Sequence, residues 1–443
     1  MKTYSIPEKY IELLTTFVSF KSVSTDSNYD DESISTAQWL KKLFLENGFD
    51  IVFDQGSTTH PLIIARYIQN KDFKTIAVYG HYDVQPAQKT DGWTNDPFEL
   101  TDNGNSFIAR GVADNKGQIL VHMYTVFKLI KENKLGYNVT FVIEGNEESG
   151  NKDIQYQLQK YREILQTDCL IISDGETVKE RATMESSFRG GGNIRIGIKT
   201  ARNNLHSGIY GGAVPNAALI LSNILSTLKD KENNILVPEF YDGAQQPSKE
   251  DITKNTSMIT EQEAMDLAGV GTLLLEPELD FYTQTGLRPT LEVTGMHSGY
   301  TGEGFQNIIP GYAEARINIR TVGNQNTQKI VDRVKKHIIA NIPHYVEYNF
   351  FEKQPSNPVI LKNDSEISRY IQSLLKNVYG SDVVFKNVGG GIPVISHFMN
   401  ELETEVISIS LANEDCNMHG VDENFKHTML EKALAFSYKF FIK

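Results

Sequence analysis

The stretch TIAVYGHYDV, residues 75–84, decides the fold. Its first five residues form an apolar, β-rich run, and the polar cluster carrying His81 and Asp83 follows at once. Open α/β sheets bind ligands at the carboxyl ends of their strands, so a polar cluster in that place is a candidate site. Working outward, further β-rich runs occupy 62–68, 107–112, 139–143 and 169–172. Apolar residues at helical spacing occupy 10–20, 37–45, 118–130 and 154–164, with Gly48 available to stop the second of these helices. Strands alternating with helices in this way specify an α/β domain with a mostly parallel sheet flanked by helices.

The glycine cluster RGGG at 189–192 interrupts the alternation. From there to about residue 353, β-rich segments mix with helices near 216–228 and 328–340, the pattern of an inserted α+β domain. Helices and strands resume at 367–378, 383–385, 406–409 and 428–441, the last an amphipathic helix. The expected organisation is one catalytic domain from 1–187 and 354–443, with a lid or dimerisation domain, 188–353, inserted between its halves.

A chain of 443 residues exceeds what one core fills, which agrees with two domains. Hydrophobic residues at 40% and charged residues at 22% are ordinary for a folded protein and exclude a largely disordered one. The net charge of −13, without any block of consecutive Lys and Arg, makes nucleic acid a poor partner. The start, MKTYSIPEKY, lacks the basic and apolar regions of a secretion signal, and no run is long enough to span a bilayer. Cys169 and Cys416 are too few for a disulfide scaffold and too far apart for a CxxC site; both are expected to be packed residues. The expected compartment is the cytoplasm.

Four loops follow or close apolar β runs: YGHYDVQPA (79–87), ARGVADNKGQ (109–118), IEGNEESG (143–150) and IISDGE (171–176). A fifth, NMHGVDE (417–423), lies near the end. Together they offer His81, Asp83, Asp114, Glu147, Glu148, Asp174 and His419 at the same edge of one sheet. So many carboxylates repel one another and raise one another's pKa unless a cation neutralises them. Imidazoles with carboxylates and no thiolate suit Zn²⁺, Mn²⁺ or Co²⁺ better than a Cys-rich structural site or an all-oxygen cage. Five ligands with one bridging carboxylate serve a pair of ions about 3.5–4 Å apart.

The segments HYDVQPA, GVADNKG, EGNEESG, SDG, LHSGIYGG and MHGVDE resemble, in order and spacing across nearly the whole chain, the signature loops of the carnosinase, glutamate carboxypeptidase and aminoacylase family of co-catalytic metallopeptidases. The long HYDVQPA form is more similar to the dipeptidase branch. The resemblance implies that Asp114 bridges two ions, Zn²⁺ foremost, with His81 and Asp174 on one and Glu148 and His419 on the other. Asp83 then orients the His81 imidazole. A cis peptide after Asp114 is also implied. Glu147, whose neighbour Glu148 is committed to metal, is the expected general base, taking a proton from the bridging water and returning it to the leaving nitrogen in a direct attack without an acyl-enzyme.

In the inserted domain, the resemblance gives His206 the role of an oxyanion donor reaching the partner subunit's site, which implies a homodimer. It gives Asn307 another partner-supplied polar contact and Arg320 a grip on the substrate carboxylate. The glycine loop with Gly390 and Gly391 is expected to line the substrate. Related dipeptidases read roughly REGGSIP where this chain has NVGGGIP, so Asn387 and Gly391 stand in for an arginine and a serine. That departure bears on the substrate class more than on the chemistry. The remaining histidines, His60 and His122 among them, carry no motif and are expected to be surface or satisfied core residues.

The expected activity is hydrolysis of dipeptides or short peptides beside a free carboxylate. The alternative within the same chemistry is an N-acyl-amino-acid deacylase. A metal-binding module without catalysis and a two-metal phosphoesterase are weaker readings, the first because Glu147 is intact, the second because no basic phosphate cradle is present.

Overall fold

Strand Thr75–His81 lies between two parallel neighbours, Asn138–Glu144 and Cys169–Ile172, and Val406–Ser410 extends the parallel run beyond the latter. All four are buried almost throughout, which is why they read as continuous apolar runs rather than as an alternation. Antiparallel strands close the two sides: Leu62–Tyr67 and then Asp50–Asp54 on one, and Thr183–Phe188 on the other. The computed structural model describes residues 5–57 and 60–443. It divides into two compact units.

The first unit runs to Ser186 and takes in Leu361–Lys386 and Val394–Lys443. Helix Lys116–Lys131 is buried along most of its length and packs against Glu8–Ser19 and His427–Phe441. Its first turn is pressed so closely on the preceding loop that a Cβ on Gly117 would lie 1.9 Å from the Val112 carbonyl oxygen; only glycine fits. The buried Lys116 ammonium donates to the carbonyls of Phe17 and Phe20, where the first helix ends and carbonyls lack intrahelical partners. An aromatic cluster of Phe44, Phe49, Phe127 and Phe141, with ring centroids 5.2–6.0 Å apart, joins helix Asp30–Glu46 to the sheet.

Two sequence expectations need correction here. The run 107–112 is a strand only over Ser106–Ile108, and it belongs to a separate three-stranded sheet with Thr101–Asp102 and Asn424–Lys426. Beyond it Gly111 turns the chain at φ +84°, and the amides of Gly111, Ala113 and Asp114 donate to the Glu423 carboxylate rather than to a neighbouring strand. Asp114 therefore reaches the site from the start of helix Lys116–Lys131, not from the edge of the central sheet. The helix expected over 154–164 ends at Lys160, followed by turns.

The second unit comprises Ser187–Ile360 and Asn387–Pro393. Its four-stranded antiparallel sheet has the order Thr290–Ser298, Tyr312–Thr321, Gly190–Lys199, Glu347–Ser356. Alternate residues such as Ile194, Ile196, Ile317 and Ile319 meet Leu221, Val331 and Val334 from helices Ala217–Ser226 and Thr327–Ala340, a period-two pattern packed against a period-3.6 one. Residues 354–360 and 387–393 cluster with this unit, whereas the sequence reading assigned them to the catalytic domain. Glu347–Ser356 is one strand, with Ser356 opposite Gly191, and the 387–393 loop is tied to Arg189, whose amide donates to Gly390 O (3.0 Å) and whose Nε donates to Gly389 O (2.7 Å).

Because Phe141 is fully buried among aromatic rings, Phe141→Ala should destabilise the first unit by about 3–5 kcal/mol. Denaturant unfolding monitored by circular dichroism measures this; a loss below about 1 kcal/mol would contradict the packing described.

Candidate metal centre

The carboxyl ends of the parallel strands deliver most of the site. His81 closes Thr75–His81, Glu147 and Glu148 follow Asn138–Glu144, and Asp174 stands just beyond Cys169–Ile172. Asp114 enters from the helix start and His419 from the loop before Asn424–Lys426. The His81 Nε2 atom lies 3.1 Å from Asp114 Oδ1 and 3.6 Å from Asp174 Oδ1. On the other side, His419 Nε2 lies 2.9 Å from Asp114 Oδ2 and 3.3 Å from Glu148 Oε2. Two ligand triads result, His81, Asp114, Asp174 and Asp114, Glu148, His419, with Asp114 in both and one of its oxygens toward each imidazole.

Surrounding groups hold these side chains in place. His81 Nδ1 meets the Asp83 main-chain oxygen at 3.0 Å and the Asp83 carboxylate at 3.4 Å. That carboxylate accepts from the amides of Glu147 (3.2 Å) and Glu148 (3.0 Å), so Asp83 ties the His81 strand end to the Glu147 loop. Gln85 donates to Glu148 Oε2 at 2.7 Å. Asn115, joined to Asp114 by a cis peptide bond, donates to Asp174 Oδ1 (2.9 Å) and Ser173 O (2.6 Å). Sequence reasoning gave no role to His60, yet its Nδ1 accepts from Asn146 (2.8 Å) while Nε2 faces Asp30 (3.2 Å), anchoring the residue before Glu147. His122, also set aside, is buried between the hydroxyls of Ser173 and Ser437. No pattern along the chain announces either contact, because each partner is distant in sequence.

The electrostatics call for a cation. Burial alone would lower the His81 imidazole, yet the carboxylates of Asp174, Asp114 and Asp83 outweigh it and hold it well above its ordinary value. His419 is raised to about 10, chiefly by its hydrogen bonds to Asp114 and Glu148. Burial pushes Glu147 and Asp174 up, with the neighbouring carboxylates adding to the shift. The protein alone thus retains protons here to offset negative charge. His81 Nε2 is buried with no hydrogen-bond partner among the described residues, although it faces two carboxylates. A ring nitrogen left without a partner beside carboxylates fits a divalent ion of the nitrogen- and oxygen-binding kind.

The second unit, taken by itself, brings together the residues the sequence singled out there. Leu205–His206 pairs with Ile308–Ile309, and the Ser207 amide donates to Asn307 O at 2.9 Å, so His206 and Asn307 lie on one exposed ribbon. His206 Nδ1 accepts from the Gly208 amide at 3.0 Å, which fixes its ring. Arg320, on Tyr312–Thr321, makes no ion pair among the described residues and runs between glycines. Its Nη1 would lie 3.5 Å from a Cβ on Gly191 and 3.8 Å from one on Gly391. A Cβ on Gly391 would also lie 2.5 Å from the Arg189 carbonyl oxygen, so a side chain there needs the backbone to move. Asn387 Oδ1 accepts from Ser187 Oγ at 2.7 Å.

Among the described residues no helix is long and apolar enough to cross a membrane. The model of Peptidase family M20/M25/M40 matches residues 77–443. The Cys-Gly metallodipeptidase DUG1 of Candida albicans is 28% identical over 445 residues, covering 94% of this chain and 90% of that protein. The human Beta-Ala-His dipeptidase is 25% identical, covering 82% of this chain and 73% of its own length. Among solved structures, the M20 family metallo-carboxypeptidase Sso-CP2 from Sulfolobus solfataricus superposes with a TM-score of 0.88 at 26% identity, covering 98% of both chains. With its catalytic-type loops all inside or adjoining the matched region, the chain belongs to peptidase family M20/M25/M40 and is a metallopeptidase.

Proposed function

We propose that this enzyme hydrolyses the peptide bond of dipeptides or short peptides next to a free carboxylate, using two divalent ions per subunit, Zn²⁺ first and Mn²⁺ or Co²⁺ as substitutes. The observation that carries this reading is the placement of Asp114, one oxygen toward His81 and the other toward His419. His81, Asp114 and Asp174 would hold one ion, and Asp114, Glu148 and His419 the other. When bound, such a pair lowers the pKa of a water and polarises the scissile carbonyl.

The protein's own groups do the rest. Glu147 accepts the proton of the attacking water and returns it to the leaving nitrogen, and its raised pKa suits a group that must both take and give. Asp83 acts through position, gripping the amides of Glu147 and Glu148. The Arg320 guanidinium, which makes no ion pair among the described residues, has Gly391 beside it, with Gly390 next along the same loop, and takes the substrate carboxylate, where a planar fork can bind both oxygens. We assign His206 and Asn307 to the site of a second copy, with His206 stabilising the oxyanion. The exposed apolar residues Ile209, on the helix that follows Leu205–His206, and Phe305, in the loop before Ile308–Ile309, support a homodimer, since large apolar groups so exposed are commonly covered by a partner. The relatives named for Cys-Gly and Beta-Ala-His dipeptides favour dipeptides over N-acyl amino acids. Cytoplasmic residence agrees with Cys169 and Cys416 being free and buried.

Assayed against dipeptides, their C-terminal amides and N-acyl amino acids, the purified enzyme should cleave free dipeptides best and lose most of its rate on the amides. Turnover of acyl substrates alone would overturn the reading. Glu147→Gln should lower kcat by about 10²–10⁴-fold while two ions remain bound, measured by steady-state kinetics with elemental analysis. Metal affinity should weaken as pH falls: hydrogen bonds to Asp114 and Glu148 hold the His419 imidazole up to about 10 without metal, so below that pH an ion must displace its proton. Each unit drop in pH should cost about tenfold in affinity per displaced proton, and titration calorimetry in buffers of different ionisation enthalpy reads the release directly.

A further inference from the structure

Residue Glu423 closes the last of the signature loops but has no part in the chemistry above. It is fully buried, and its carboxylate is saturated: Oε2 accepts from Arg110 Nη1 (2.7 Å) and the Gly111 amide (2.9 Å), Oε1 from the amides of Ala113 (2.8 Å) and Asp114 (2.9 Å). Its main-chain oxygen accepts from Ala109 at 3.1 Å. Arg110 is equally buried, and Nη2 donates to the main-chain oxygens of His419 (3.3 Å) and Gly420 (3.0 Å). Its guanidinium lies 5.2 Å from the centre of the Trp93 ring.

One end of this ion pair therefore holds the amide of Asp114, and the other holds the carbonyl of His419. Those are the two residues whose side chains meet at 2.9 Å across the second triad. His419 has a left-handed backbone, φ +61°, and so do Asn417 and Asp422 on the same loop. Asparagine, aspartate and histidine are the non-glycine residues that adopt that conformation most readily, and the guanidinium on the His419 carbonyl helps to hold it. The first triad shares Asp114, but its other two ligands have supports of their own. His81 and Asp174 stand at the ends of adjacent, directly paired parallel strands, and Asn115 holds the Asp174 carboxylate.

We propose that Arg110 and Glu423 are positioning residues that set the spacing of Asp114 and His419 and so govern the affinity of the second metal position, His419, Glu148 and Asp114, more strongly than that of the first, which shares only Asp114 with it. The inference rests on the two-ion reading. A planar fork is needed because one guanidinium must reach the Glu423 carboxylate and two carbonyls at once; an ammonium at 110 can keep the charge but cannot span all three. A glutamine at 423 keeps the shape of Glu423 but presents one acceptor oxygen where four donors now converge.

The test uses the full-length protein stripped of metal by a chelator, then titrated with Zn²⁺ or Mn²⁺ by calorimetry and checked by elemental analysis, for wild type, Arg110→Lys and Glu423→Gln. Circular dichroism and thermal melting of the metal-free proteins report the fold. The expected result is that both variants melt like wild type, bind the second ion about 10–100-fold more weakly and bind the first with a clearly smaller loss. Activity lost at limiting metal should return with excess metal, because Glu147 and the ligands are intact. Equal loss at both positions, no loss at either, or unfolding of both variants would overturn the proposal. A wild-type protein that takes up fewer than two ions would instead sink the two-ion reading, whatever the variants do.

Discussion

A carboxylate held between two imidazoles, with further acids behind each, is the constraint on which the rest of the first unit depends. Asp114 is buried and faces His81 on one oxygen and His419 on the other, while Asp174 and Glu148 close the two triads. Anions in low dielectric repel strongly, and the protein's own response is to keep its imidazoles protonated. Such a cluster is tolerable as a resting arrangement and useful only with cations in it. The surrounding architecture accordingly looks like a frame for five residues drawn from separate parts of the chain.

The frame is rigid where the ligands attach. Three of the attachments are ends of parallel strands buried on both faces, and the fourth is the start of a helix enclosed by two others. Side chains on strand ends and helix starts inherit the precision of the elements beneath them, which loops alone do not supply. The loop bearing His419 departs from that rule. It carries three residues in left-handed conformation, an asparagine, a histidine and an aspartate, the side chains that adopt it most readily, and it is retained by contacts from Arg110 and from Thr94, whose amide and hydroxyl donate to Asp422. The second unit keeps different chemistry: a guanidinium among glycines, without an ion pair among the described residues, on a strand of the sheet that packs on the unit's core, and an exposed histidine on a separate two-stranded ribbon.

Much of this was legible along the chain because strong local signals coincide with function. Apolar β runs followed at once by acids and histidines mark strand ends, and that reading located His81, Glu147, Glu148 and Asp174 on the correct elements. The run 107–112 misled because its apolar residues satisfy the same pattern, while the partner that bends it, Glu423, lies over 300 residues away in sequence. Three helices of the second unit, Lys249–Thr256, Glu261–Ala268 and Phe281–Leu287, are too short to show a clear apolar period, although Ser248 and Thr260 open capping boxes at the first two. Asp83 was read as a support for an imidazole; its carboxylate spends its hydrogen bonds chiefly on the Glu147 and Glu148 amides.

By itself the sequence determined the α/β class, the inserted second domain, the family and the residue types able to bind metal, since periodicity and ordered loops are properties of neighbouring residues. Only the tertiary structure decided which oxygen of Asp114 faces which imidazole, why Gly391 tolerates no side chain beside Arg189, and how His60, Asn146, Arg110 and Glu423 are enlisted. Those are distances between groups far apart along the chain. They are set by strand register, close packing and the requirement that buried polar groups find partners, none of which a local pattern encodes.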